Sequence, residues 1–179
     1  KDLIHNRPRG LWRWAELLPV RQPQFRFSLG EGDSPLLHSE RLGARLNLSQ
    51  LYIKDESTNA TGSFKARGLA VAVSRAVELG IREFVIPTAG NAGGALAAYA
   101  ARAGAIAHVY MLQDTPIANQ VEVKMSGADL HLVQGLINDA GRLAAAEAAS
   151  HAWFDVSTFK EPYRVEGKKT MGYELAEEF

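Results

Sequence analysis

The sequence predicts an α/β fold in which parallel sheets are flanked by helices. Three observations predict it. Short apolar segments of strand length alternate with longer helical segments, the connections between them are short, and successive helices stop at Gly80, Gly104 and Gly127. Strands linked through helices run parallel, and a parallel sheet needs cover on both faces.

Residues 1–30 are rich in Pro and Arg, with Trp12 and Trp14 close together. They read as an irregular lead-in that packs on a larger body. Gly30-Glu31-Gly32-Asp33-Ser34-Pro35-Leu36 is a turn cluster. A short strand is expected over 51–54. A helix follows over 64–79, then a buried strand at Phe84-Val85-Ile86 and an Ala-rich helix over 92–103. The alanines allow that helix to lie close on a sheet. A strand over 106–112, a helix over 117–126, a strand over 129–133, a helix over 138–150 and a strand over 153–156 complete the alternation, with right-handed crossovers expected. The last segment, 165–179, reads as one amphipathic helix. Met171, Leu175 and Phe179 recur four residues apart, and no Gly or Asn cap follows. The sequence opens on Lys1 rather than Met and stops inside this segment, so a fragment lacking its C-terminal part is expected.

The bulk properties narrow the function. The chain has 179 residues, 46% of them hydrophobic, enough to bury a core. Lys plus Arg number 20 and Asp plus Glu number 20, so no net field favours nucleic acid or anionic lipid. There is no cysteine, and the five histidines are scattered singly, so no metal-ligand spacing is present. No apolar run reaches the roughly 20 residues of a membrane span, and the N-terminus lacks the apolar stretch of a secretory signal. A cytoplasmic protein acting on small molecules, without nucleic-acid or membrane partners, is the expectation.

In open parallel sheets, ligands gather at the carboxyl ends of strands. Two loops stand out there. Asn59-Ala60-Thr61-Gly62-Ser63-Phe64-Lys65-Ala66-Arg67-Gly68 leads from a strand into a helix and puts Lys65 in the first helical turn. The helix dipole disfavours a cation there, which lowers an amine's pKa and aids nucleophilic use. On spacing alone an exposed surface lysine is the commoner case. Thr88-Ala89-Gly90-Asn91-Ala92-Gly93-Gly94 follows the strand at 84–86 and opens the next helix. Small residues let a ligand approach the backbone, and helix-start N–H groups suit an anion, although close packing also needs glycine.

These motifs carry a resemblance. The ten residues around Lys65 resemble the cofactor-lysine motif of the fold-type II pyridoxal-phosphate (PLP) enzymes, which include threonine synthases, threonine and serine dehydratases and cysteine synthases. The Thr88–Gly94 loop resembles that family's Ser/Thr-x-Gly-Asn loop, in the same order along the chain. Glu161-Pro162-Tyr163-Arg164-Val165-Glu166-Gly167-Lys168-Lys169-Thr170 resembles a Pro-Tyr-Arg-x-Glu-Gly-x-Lys-Thr segment of the threonine synthases, and residues 30–36 and 98–104 resemble two more of their segments.

The resemblance implies a cofactor, pyridoxal 5′-phosphate, held by Lys65 as the Schiff-base lysine, with Phe64 near its ring and Asn91 bonded to its 3′ oxygen. Lys65 would also move protons on the substrate carbons. Thr88, Ala89, Gly90 and Ala92 would hold the substrate α-carboxylate, largely through backbone N–H groups. Thr158 and Arg164 would meet a substrate phosphate, Arg164 in bidentate fashion; a purely structural ion pair at Arg164 is an equal reading. Ala66 departs from the acidic residue of many threonine synthases, and Ala92 and Phe159 offer no hydroxyl or amide to a phosphate. Lys160 would either supply a point charge or lie in solvent. The implied reaction is that of a threonine synthase, a lyase making L-threonine and phosphate from O-phospho-L-homoserine and water. A threonine or serine ammonia-lyase is the alternative, and a non-catalytic binding module the reading from another class. The resemblance also implies two domains: a large one from residues 1–68, resumed at 157–179, and a smaller α/β one from 69–156. The residues that hold the cofactor's phosphate and pyridine nitrogen are expected beyond Phe179, so the 179-residue chain alone would be inactive. A homodimer is compatible with this reading.

Overall fold

The computed structural model describes Ile4 and residues 6–179; residues 1–3 and 5, at the start of the lead-in, lie outside the described residues. Four strands form one parallel sheet in the order β5-β4-β3-β6: β3 Glu83–Thr88, β4 Ile106–Leu112, β5 Asp129–Val133 and β6 Phe154–Asp155. Glu83 to Thr88 of β3 run beside Ile106 to Met111 of β4, and His108 to Leu112 of β4 beside Asp129 to Val133 of β5. β6 is shorter than its apolar run suggests, pairing only Phe154 with Phe84 and Asp155 with Val85.

The side-chain alternation of a strand divides the core between two faces. Phe84 and Ile86 of β3 join Ala107, Val109 and Met111 of β4 on one face. Helices α2 (Lys65–Glu78), α3 (Asn91–Arg102) and α4 (Ile117–Met125) cover it. Val85, Tyr110 and Val133 point the other way, against Ala140 and Ala144 of α5 (Ile137–His151). Small residues permit the contact: a methyl group on Gly93 would lie 2.7 Å from Thr88 Cγ2 and 2.8 Å from Val109 Cγ1. The alternating elements read from the sequence are therefore present, with ends shifted by a residue or two.

Three expectations need correction. The strand at 51–54 does not enter the parallel sheet: β2 (Tyr52–Lys54) pairs antiparallel with β1 (Leu36–His38), and α1 (Glu40–Leu46) links them. Antiparallel strands need no long crossover, so the short α1 connection suffices. The lead-in is not wholly irregular, because Leu11–Leu17 and Pro23–Phe25 form 3-10 helices. Leu11, Trp14 and Val20 are buried, and the Trp12 indole donates to the Phe27 carbonyl at 2.9 Å.

The third correction concerns residues 165–179, which form two helices, α6 (Tyr163–Lys168) and α7 (Thr170–Glu178). The Thr170 hydroxyl donates to the Gly167 carbonyl at 2.7 Å, competing for an oxygen that a continuous helix would use. The buried side of α7 is not the apolar stripe either. Thr170 and Glu174 are buried, Met171 and Leu175 are half-buried, and Phe179 is 77% exposed.

Candidate active site

The site begins where α2 starts. Asp55 accepts the Ser57 N–H at 3.0 Å and shapes the turn Glu56–Thr58. Gly62 then takes φ +63°, in the left-handed region that glycine favours. Ser63 Oγ accepts the Lys65 N–H at 3.3 Å, so Lys65 is the first residue of α2, as its spacing predicts. Its side chain is half-buried, with Nζ 3.8 Å from the centroid of the Phe64 ring.

A second element reaches the same ring. α6 crosses α2 with backbone against backbone. A methyl group on Gly68 would lie 2.9 Å from the Arg164 carbonyl oxygen, and one on Gly167 would lie 2.1 Å from the Arg67 carbonyl oxygen. The crossing brings Arg164 and Lys168 toward Lys65. Lys168 Nζ sits 5.4 Å from the Phe64 ring centroid. Neither the Lys65 nor the Lys168 ammonium has a hydrogen-bond or ion-pair partner among the described residues. Arg164 is buried and donates from Nη1 to the Val156 carbonyl at 2.6 Å. Glu161 closes the start of α6, accepting the Tyr163 N–H at 2.5 Å and the Arg164 N–H at 3.1 Å.

This crowding of cations has electrostatic consequences. Burial, then the charges of Lys168 and Arg164, hold the Lys65 amine below the ordinary lysine range. Burial and Arg164 do the same to Lys168, and burial lowers Arg164. Burial raises the Glu161 carboxyl even against those cations. The sequence points to the helix dipole as the source of a softened Lys65; the structure puts burial and two neighbouring cations first. An amine so placed gives up its proton more readily and serves better as a nucleophile.

The second cluster lies at the turn from β3 into α3. Thr88 is buried, its hydroxyl donating to the Gly90 carbonyl at 3.0 Å and accepting the Gly90 N–H at 3.1 Å. The Gly90 N–H is thus engaged within the loop. Gly90 has φ +154°. Asn91 is exposed, and its Oδ1 accepts from Asn119 Nδ2 at 3.3 Å, which leaves Asn91 Nδ2 turned to other use as a donor. Ala89 is exposed and Ala92 half-buried. The clusters are joined through α2 and α3, which pack on each other. Thr158, Phe159 and Lys160 lie on an exposed turn before α6, with Phe159 88% exposed at φ +63°.

Sequence reading passed over two features. One is Lys168, which shares a helix face with Arg164 through four-residue spacing. The other is the pedestal under Lys65. Arg67 is fully buried, and two carboxylates clamp its guanidinium. Glu56 accepts from Nε at 2.7 Å and Nη2 at 2.8 Å; Glu174 accepts from Nη1 at 2.6 Å and Nη2 at 2.8 Å. Thr170 and Ser34 hydroxyls complete the shell, and Lys54 Nζ lies 3.0 Å from Glu174. The cluster ties the turn at 30–36, β2, α2 and α7 together. Burial opposes ionisation of Glu56 and Glu174, but hydrogen bonds from Arg67 outweigh it and hold both below the usual carboxylate range. The signal was present: an arginine two residues after Lys65, on the face of α2 that must pack, needs acidic partners.

The family described as "Pyridoxal-phosphate dependent enzyme" matches residues 27–179. The chain is 36% identical over 171 residues to the threonine synthase of Methanosarcina acetivorans, covering 94% of this chain and 41% of that protein. It is 33% identical over 179 residues to the threonine synthase of Methanocaldococcus jannaschii, covering 99% and 44%. Among solved structures, the processed form of threonine deaminase isoform 2 from Solanum lycopersicum aligns with TM-score 0.76 at 25% identity, covering 97% of this chain and 48% of that one. The chain spans less than half the length of these relatives.

Proposed function

Since the chain belongs to the pyridoxal-phosphate-dependent enzymes, we propose that the protein of which it forms a part is a threonine synthase, a lyase that converts O-phospho-L-homoserine and water into L-threonine and phosphate. The observation that carries this reading is the crossing of α2 and α6, which sets Arg164 and Lys168 beside Lys65 in a chain similar to threonine synthases.

The residues fit the cofactor. Lys65 offers a half-buried amine with a lowered pKa, and neither it nor Asn91 Nδ2 has a hydrogen-bond partner among the described residues. When bound, pyridoxal phosphate supplies the electron sink that stabilises negative charge on the substrate carbons. The chain's own residues do the rest. Lys65 Nζ would hold the cofactor in the resting enzyme and, released as a neutral amine when substrate binds, would take the α-proton and move protons at the neighbouring carbons. The Phe64 ring lies beside Lys65, and Asn91 Nδ2 would donate to the cofactor's 3′ oxygen. Backbone N–H groups of Thr88, Ala89, Gly90 and Ala92 receive the substrate carboxylate, with the Gly90 N–H first leaving the Thr88 hydroxyl. Arg164, with Thr158 at the rim, faces the leaving phosphate.

In this reading residues 1–68 and 157–179 belong to a large domain and 69–156 to a smaller one; the boundary falls inside the continuous helix α2. We also place the enzyme in the cytoplasm, acting on a small-molecule amino-acid substrate; a homodimer is compatible with this reading. No helix among the described residues is long and apolar enough to cross a membrane.

A threonine or serine ammonia-lyase is the second reading. It is favoured by Ala92 and Phe159, which offer no hydroxyl to a phosphate, and by the likeness to a threonine deaminase. Product analysis with the full-length protein separates the two. Phosphate and L-threonine from O-phospho-L-homoserine support the synthase. Ammonia from L-threonine, with no phosphate released from the ester, overturns it.

A further inference from the structure

We propose that Lys168 joins Arg164 in a phosphate subsite beside Lys65, and that Lys168 selects a substrate bearing a phosphate monoester. The proposal rests on the reading above and adds to it a residue that determines specificity.

Arg164 and Lys168 stand four residues apart on α6, so both project from the same helix face toward α2. The glycine-to-backbone contacts at Gly68 and Gly167 fix how near that face comes to Lys65. Three cations meet there. Like charges four residues apart on a helix repel, so the arrangement is disfavoured unless a counter-charge arrives. The chain's own counter-charge is small. Asp155 acts on Arg164 while accepting the Ser157 N–H, and Glu161 acts on both Arg164 and Lys168 while accepting the Tyr163 and Arg164 N–H groups, so two engaged carboxylates face three cations. Arg164 uses only Nη1, on the Val156 carbonyl, and Lys168 makes no hydrogen bond among the described residues. Lys168 is half-buried, with its Nζ 5.4 Å from the Phe64 ring centroid.

Lys65 holds the cofactor before substrate binds and must be a neutral amine to accept the α-proton afterwards, so Arg164 and Lys168 are the groups left to hold an anion. Two cations suit a phosphate monoester dianion better than a carboxylate. Arg164 supplies planar donors and Lys168 a point charge that follows the phosphate as its ester bond breaks. The same pair would hold free phosphate after cleavage.

Calorimetric titration of the full-length, cofactor-loaded protein tests this, with Lys168→Gln and Lys168→Arg beside the parent. The probes are inorganic phosphate, a phosphonate analogue of O-phospho-L-homoserine, and L-threonine as a phosphate-free control. We expect Lys168→Gln to weaken phosphonate binding by about tenfold or more, Lys168→Arg to retain it, and L-threonine to bind all three proteins alike. A parallel loss for inorganic phosphate assigns the site to free product as well; a loss confined to the phosphonate assigns it to the ester. Phosphonate binding that is unchanged in Lys168→Gln, or absent in the parent, overturns the proposal. The threonine synthase reading fails separately: Lys168-dependent phosphonate binding in a protein that releases ammonia but no phosphate would sink that reading and keep the subsite.

Discussion

Gly167 packs directly on the carbonyl oxygen of Arg67: a methyl group added at Gly167 would lie 2.1 Å from that oxygen. With the Gly68–Arg164 contact, this pair sets the separation of two helices, one carrying Lys65 and the other carrying Arg164 and Lys168. The obstacle is backbone rather than a flexible side chain, so it cannot turn aside. Gly167→Ala should destabilise the protein by about 1–3 kcal/mol through overpacking, measured by urea denaturation. Cofactor affinity should fall with it. Unchanged stability and affinity would show that the helices separate without cost.

The Arg67 clamp should be worth more than a surface ion pair. Arg67→Ala leaves Glu56 and Glu174 buried without their cation, a loss of about 3–5 kcal/mol. Arg67→Lys keeps the charge but cannot bond both carboxylates in pairs, so its stability should fall between parent and Arg67→Ala. Equal losses for the two variants would argue that charge contributes nothing.

Acid should weaken this cluster. Glu174 is held below the ordinary carboxylate range in the folded protein. A depressed folded pKa contributes stability that is present above the unfolded value, about 4.3, and is lost as pH falls through the folded value. The melting-temperature advantage of the parent over Glu174→Gln should be full near neutral pH and shrink on acidification below about pH 4.3. Glu161, raised by burial, acts with the opposite sign: it favours the fold at low pH and loses that contribution as pH rises through its folded value. Comparing parent with Glu174→Gln cancels it. An advantage independent of pH would contradict the assignment.

Lys65 should respond to its neighbour. Lys168 lowers the Lys65 pKa, after burial and ahead of Arg164. Removing that charge with Lys168→Gln should raise it, so cofactor attachment to the apoprotein should require higher pH. The rate of attachment against pH, followed by absorbance, should shift upward relative to the parent. No shift would mean that burial alone sets Lys65.

Much of the fold was legible because it rests on local pattern. The strands at 106–112 and 129–133 and the glycine-stopped helices follow from apolar runs and their breaks. What escaped depends on contacts distant in sequence. β1 is three residues long and exists through β2. The helix break at Lys169 goes with the Thr170 hydroxyl bonded to the Gly167 carbonyl, and α7 buries Glu174 rather than Phe179 because Arg67 waits there. In the site, Lys65 and Asn91 stood out from their motifs. Lys168 did not, since a second lysine on a short helix looks like solvated surface until α2 is laid against it.

The central claim is that Lys65 carries the cofactor, and the most direct measurement is borohydride reduction of the full-length protein with pyridoxal phosphate, followed by peptide mapping. The account predicts one pyridoxyl adduct, on Lys65, and none in Lys65→Ala. An adduct on Lys168 instead, or an undiminished adduct in Lys65→Ala, would contradict it.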